Sequence, residues 1–289
     1  MNTIGCVAAV GLFCTHSIEA GSFSVNTPLN TARAYHTATL LRDGTVLVAG
    51  GLGTNGALAT AERYHPDTRT WASAGSMHYA RQSHTAALLS NGTVLVAGGG
   101  DSPFAFGSGL TAEVYSPADD TWTVVGQLNS ARWFSAALLL TNGQVLIIGG
   151  MDRNVNPVRT AELYEPVSQT WTYTGSMTNG RYDFTATLLP NGKVLVAGGN
   201  VTLFARPSAE LYDPLSGNWS PTGNMPTVVA YHTATLMTNG SVLVAGGSTA
   251  GGHTQIFYAT TGTWSNTASI RVARGEHTAT LLPGGILLA

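Results

Sequence analysis

From Arg33 onward, apolar and polar positions follow one phrase that keeps returning. It opens Arg-Ala-Tyr-His, continues Thr-Ala-Thr-Leu-Leu, turns at Arg-Asp-Gly and closes Thr-Val-Leu-Val-Ala-Gly-Gly51. Copies span 81–99, 132–150, 181–199 and 229–247, and a last one runs 274–289. In each, two short apolar stretches flank a turn dipeptide: Asp43-Gly44, Asn91-Gly92, Asn142-Gly143, Asn191-Gly192, Asn239-Gly240 and Gly284-Gly285. Such dipeptides accept the positive φ of a type I′ hairpin, which predicts paired strands at Thr37–Leu41 and Thr45–Ala49. Val46-Leu47-Val48 and Leu146-Ile147-Ile148 are unbroken apolar runs, the pattern of a strand buried on both faces. A second phrase alternates instead: Ala61-Glu62-Arg63-Tyr64-His65-Pro66 reads as a third strand ended by its proline. Trp71 follows on a fourth. The copies are 112–117 with Trp122, 161–166 with Trp171, 209–214 with Trp219 and 254–259 with Trp264. The tryptophans are spaced by 51, 49, 48 and 45 residues. No window carries sustained helical periodicity.

Four strands in every ~50 residues is the period of a propeller blade. Gly-Gly after the second strand, Glu-x-Tyr-x-Pro on the third and Trp on the fourth resemble the kelch repeat. The phrase His-Thr-Ala-Thr-Leu-Leu before Asn/Asp-Gly is similar to bacterial-type kelch proteins and to the propeller of galactose oxidase. The resemblance runs from Phe23 to Ala289. It implies an all-β fold: a kelch-type β-propeller over 22–289 with repeats starting near 33, 81, 132, 181, 229 and 274. About six four-stranded blades are expected, the last incomplete, as in a fragment of a larger ring. Kelch rings close by joining strands from the two termini, which here unites Ser22–Val25 with His277–Ala289.

Composition narrows the function classes. Charged residues are 10% of the chain and net charge is −2, so no electrostatic footprint for nucleic acid stands out. No apolar run reaches the ~18 residues of a membrane span. Both cysteines, Cys6 and Cys14, lie in the first 20 residues, which removes disulfides, cysteine zinc sites and a cysteine nucleophile from the repeats. Residues 1–20 read as a signal peptide or as an irregular leader. Ile4–Phe13 supplies an apolar core, but the start lacks Lys and Arg and Glu19 sits close to the cleavage candidate. The signal-peptide alternative makes the protein secreted or part of the cell envelope.

Recurrence within one chain is a structural signal first. Trp71, Trp122, Trp171, Trp219 and Trp264 are expected to fill the space between adjacent blades. Arg33, Arg81, Arg132 and Arg181 each precede a repeat holding Glu62, Glu113, Glu162 and Glu210. The fifth repeat has Val229 and Gln255 in these places, so both charges vanish together. A lone buried charge is costly, which predicts a structural Arg–Glu pair within each blade. An anion site built from channel-lining arginines is the competing reading. His36, His84, His232 and His277 share one repeat position, where Ser135 and Phe184 stand elsewhere. A histidine bonded to backbone is expected there.

Chemistry is thinly signalled. Tyr35-His36 and Tyr231-His232 match the Tyr-His phrase that ligates copper in radical-copper oxidases resembling galactose oxidase. Imidazole and phenolate suit Cu(II). The resemblance also requires a tyrosine crosslinked to cysteine, and the repeats contain no cysteine. No catalytic serine elbow, zincin or phosphate-loop motif is present. The expectation is therefore a non-catalytic binding or scaffold propeller with no cofactor and a protein or glycan partner. A copper oxidase and a carbohydrate-binding surface module are the alternatives. Topology puts the fourth-to-first and second-to-third loops on one face. There Phe104, Phe106, Phe204, Arg153, Arg159 and Arg206 are the candidate contacts.

Overall fold

The computed structural model of the chain describes residues 27–101, 109–201, 204–247, 252–282, 285 and 287–289. Among them lie five antiparallel four-stranded sheets, each with its strands side by side in chain order. The first consists of Thr37–Leu40, Val46–Ala49, Thr60–His65 and Thr70–Ser76. The others open at Thr85, Ala136, Thr185 and Thr233. First strands of consecutive sheets lie beside one another, so the sheets fan out from a shared inner region in a propeller-like arrangement. Thr280–Leu281 and Leu287–Leu288 pair as a further two-stranded sheet. The described residues include no helix long and apolar enough to cross a membrane.

Each predicted strand forms for a visible reason. The second strands Val46–Ala49, Val94–Ala97, Val145–Ile148 and Val194–Ala197 are buried at every position. Full burial of a Val, Leu or Ile side chain contributes about 1.5–3 kcal/mol, so this strand anchors its sheet. The outer strands alternate and expose one face. The hairpin between first and second strands differs from the expected type I′ turn. Only the glycine takes positive φ, at 83° for Gly44 and 88° for Gly92, while Asp43 and Asn91 do not. Gly44 N–H donates to Leu41 O and Leu41 N–H to Thr45 O, a three-residue loop with glycine at the bulge. Asp43 Oδ1 accepts the Thr45 N–H at 3.0 Å, and Asn91, Asn142, Asn191 and Asn239 repeat the bond. The side chain fixes the turn without left-handed backbone of its own.

Neighbouring sheets are stitched by tryptophan and glycine. Each tryptophan stands opposite the aromatic of its own third strand: Tyr64–Trp71, Tyr115–Trp122, Tyr164–Trp171, Tyr212–Trp219 and Phe257–Trp264. Ring centroids are 4.7–5.1 Å apart. Two indole N–H groups reach back to the preceding sheet, from Trp122 to Ala74 O at 2.9 Å and from Trp219 to Gly175 O at 2.8 Å. At the inner end, Gly51 N–H donates to Arg81 O at 2.8 Å, and Gly99, Gly150, Gly199 and Gly247 repeat the bond one sheet on. A Cβ on Gly50 would lie 2.5 Å from Arg81 O. The first glycine of each Gly-Gly pair therefore answers to close approach as well as to φ.

Candidate binding site at the inner mouth

The structure first accounts for the repeating charges. Arg81 Nη2 lies 2.9 Å from Glu113 Oε1, and the other pairs are Arg33–Glu62 at 2.7 Å, Arg132–Glu162 at 2.8 Å and Arg181–Glu210 at 2.7 Å. Arg81 Nη1 also donates to Gly98 O and Thr111 O, tying the second strand's exit to the third strand. Glu113 accepts the His78 and Tyr79 backbone N–H groups ahead of Arg81. Each pair is a clamp closing the loop before the arginine onto its own sheet. Burial holds the guanidinium of Arg81 below its ordinary value, as it does for Arg132 and Arg181, while the partner carboxylate opposes the shift. The Nη groups of these arginines are all spent on such partners, while Arg81 Nε and Arg181 Nε are buried without one. In the fifth sheet Gln255 Oε1 accepts Thr227 N–H and its Nε2 donates to Thr227 O, so an amide closes the same loop.

The histidines occupy seams. His84 Nε2 lies 2.9 Å from Thr37 Oγ1, His232 Nε2 2.9 Å from Thr185 Oγ1 and His277 Nε2 3.2 Å from Thr233 Oγ1. The threonine hydroxyl that opens the preceding first strand is thus a partner, beside the expected backbone bond, which His84 makes to Ala49 and His232 to Ala197. Threonine recurs there, so the pairing follows the repeat. Burial drives His84 far below its ordinary pKa, with Arg81 adding repulsion, and lowers His232 to about 4. Both are neutral at pH 7. The second Tyr-His pair consequently splits: His232 turns into its seam while Tyr231 faces the inner cavity. Among the described residues no three of His, Cys, Asp and Glu come together as a metal site.

The residue just before each histidine position is the unexpected feature. Tyr35, Ser83, Phe134, Asp183, Tyr231 and Glu276 all have left-handed backbone, with φ between 53° and 57°. Left-handed backbone costs a non-glycine residue about 1–2 kcal/mol. Here it lets consecutive repeats join: Ser83 N–H donates to Tyr35 O, Phe134 to Ser83 O, Tyr231 to Asp183 O and Glu276 to Tyr231 O, at 2.9–3.1 Å. The bonds string these residues around the inner mouth, where five of them, all but Ser83, line a cavity of about 740 Å³ with Met151 and Tyr182.

This cavity mixes aromatic surface with charge. Tyr35, Phe134 and Tyr231 are large aromatics left 49%, 37% and 37% exposed. Tyr35 and Phe134 meet at right angles with centroids 6.3 Å apart. The Tyr231 hydroxyl and Asn200 Nδ2 donate to the Asp183 carboxylate. Burial pushes the Asp183 carboxyl up and Glu276 adds repulsion, while those two bonds oppose the rise. Burial and the Asp183 charge push Tyr231 well above its ordinary value.

The second-to-third loops start beside this mouth. Leu52 pairs with Ala34, Gly100 with Gln82, Met151 with Trp133 and Asn200 with Tyr182. Arg153, Arg159 and Arg206 are exposed on these loops. Asp152 is spent inside its loop, accepting the Asn154 and Asn156 N–H groups. Phe204 falls in a short hairpin, Asn200–Val201 with Phe204–Ala205. Phe104 and Phe106 lie outside the described residues, as do residues 1–26. Phe134, Tyr182, Asp183 and Glu276 were missed by sequence reasoning. Their signal was a repeat position where the backbone role recurs and the side chain does not.

The family described as Kelch motif matches residues 32–78 and 132–178. No curated protein sequence matches the chain. Among solved structures, one titled "Structure of YjhT" aligns with a TM-score of 0.67 at 17% identity, covering 82% of this chain and 84% of that one. Another is titled a novel fungal alcohol oxidase with catalytic diversity among the AA5 family, in complex with copper. It aligns with a TM-score of 0.58 at 16% identity, over 91% of this chain and 70% of that one. The repeat is kelch-type and the fold is propeller-like, similar to the fold of both structures.

Proposed function

We propose that the chain is a non-catalytic binding propeller, engaging a protein or glycan partner through the face that carries the inner mouth and the second-to-third loops. The observation that carries this reading is the string of left-handed residues, which turns unlike side chains toward one cavity from a repeating backbone. Strain held in such a place is a mark of function. The loops around Phe104, Phe106, Arg153, Arg159, Phe204 and Arg206 form the rim in this reading. A copper-oxidase role is disfavoured, because His232 is bonded in a seam and the repeats lack cysteine. The domain is read as residues 22–289, with about six blades and the last completed by strands from both ends. Residues 27–31 support this: Thr27 O accepts the Trp71 indole N–H, and Asn30 and Thr31 N–H donate to Glu62, as an outer-strand end does elsewhere.

The test is partner capture by the purified chain on glycan and peptide arrays, repeated with Phe134→Ala and Arg159→Ala. Binding that either change lowers about 10-fold, with folding intact, supports the face as the site. Binding that survives both changes moves the site elsewhere.

A further inference from the structure

We infer that the inner-mouth cavity is a recognition site for a compact organic ammonium group, held between aromatic rings and two carboxylates. The inference rests on the binding-face reading and assigns its ligand class. Tyr35 and Phe134 stand at right angles, 6.3 Å apart, and so make two walls of a corner. Tyr231 and Tyr182 line the same cavity. Rings set around a space attract a cation through their negative faces, most strongly when water is displaced. The charges of the lining agree. The lining holds two carboxylates, Asp183 and Glu276, and one guanidinium, Arg274, whose Nε and Nη1 already donate to the Val272 and Ala289 carbonyls. His277 is kept toward its neutral form by burial and by Arg274. The cavity therefore carries an excess of negative charge among exposed aromatic surfaces. Asp183 is already oriented by the Tyr231 hydroxyl and Asn200, so its carboxylate is fixed before a ligand arrives. A neutral sugar would find ring surface there and could donate hydroxyls to the carboxylates, but would leave their excess charge uncompensated. An anion would meet both of them.

Two sources present this chemistry, a free small amine and an alkylated lysine side chain on a protein. The experiment is titration of the full chain with tetramethylammonium, its neutral near-isostere tert-butanol, methyl glucoside, and a five-residue peptide with a central trimethyl-lysine. Calorimetry and the tyrosine ring signals in NMR are the readouts. Saturable binding of tetramethylammonium or the peptide, about 10-fold or more tighter than tert-butanol and the glucoside, is expected. Asp183→Asn and Tyr35→Leu should each weaken it about 10-fold, and Glu276→Gln, at an exposed position, by less. If Asp183→Asn does not fold, Glu276→Gln with Tyr35→Leu decides the matter. Tighter binding of the peptide assigns the cation to a protein side chain, and equal binding assigns it to a small molecule. Equal affinity for cation and isostere, or no loss in the variants, overturns the inference. Partner capture that depends on Phe134 yet ignores these cations would overturn the ligand class and leave the binding face standing.

Discussion

The first four sheets and the fifth close the same loop with different chemistry. In the first four a buried guanidinium and a buried carboxylate meet at 2.7–2.9 Å. In the fifth, valine replaces the arginine and Gln255 does the bonding with a neutral amide. The backbone outcome is the same: a third-strand side chain accepts an N–H from the segment leading into the next phrase. The ion pair is therefore one solution to an acceptor problem, and its charge is not required by the fold. What the charge imposes is coupling, because each member is tolerable in a dry site only with the other.

Removing one partner breaks the comparison most sharply. Glu113→Ala should cost about 3–5 kcal/mol in urea unfolding, since it strands the Arg81 guanidinium at full burial. The double change Arg81→Val/Glu113→Gln copies the fifth sheet and should cost about 1–3 kcal/mol less than the sum of its parts. Additive costs in that cycle would sink the account of paired loss.

Acid should separate the two kinds of sheet next. His232, in the repeat without an arginine, titrates near 4 when folded, against 6.5 in the free side chain. Its ordinary value is therefore lowered by folding, and the unfolded chain takes up the proton first as pH falls. The stability that depends on neutral His232 is full above pH 6.5 and is lost progressively down to about pH 4. The loss is roughly 3 kcal/mol at the lower end. His84 is likewise lowered, by burial first and by the Arg81 charge in addition. His232→Asn should flatten the pH dependence of the melting temperature over that window. An unchanged slope would remove the seam histidine from the account.

The smallest expected effect concerns the outer strands. Trp122 donates its indole N–H to Ala74 O, whereas the buried Trp264 N–H has no such bond. Trp122→Phe should therefore cost about 1 kcal/mol more than Trp264→Phe, read from the same unfolding curves. Equal costs would mean that packing on Tyr115 and Phe257 is all that the indoles contribute.

Much of this fold was legible because the repeat is read six times. Val46-Leu47-Val48, Glu62-Arg63-Tyr64 and Trp71 have counterparts in the same order in each of the next four repeats, and each occupies the strand its pattern assigned. The joint absence of arginine and glutamate in the fifth repeat pointed to their contact. The turn type was less legible. Asn-Gly suits two hairpin geometries, and the Asn91 side-chain bond to Thr93 N–H decides between them. The site was the least legible part. His36 and His232, with Tyr35 and Tyr231 before them, carry the recognisable chemistry of the phrase, whereas Ser83, Phe134, Asp183 and Glu276 at that same preceding position share no residue type.

The sequence by itself determined the strands, their order, the buried second strand and the charge pairs. These depend on local alternation and on repeats that lie close along the chain. Only the tertiary structure decided which side chains share the inner mouth. Tyr35, Phe134, Asp183 and Glu276 are separated by whole repeats, and each reaches the cavity through a left-handed backbone turn that its own residue type disfavours. The bonds from one repeat's carbonyl to the next repeat's N–H hold that turn, and such bonds exist only once the sheets have come together.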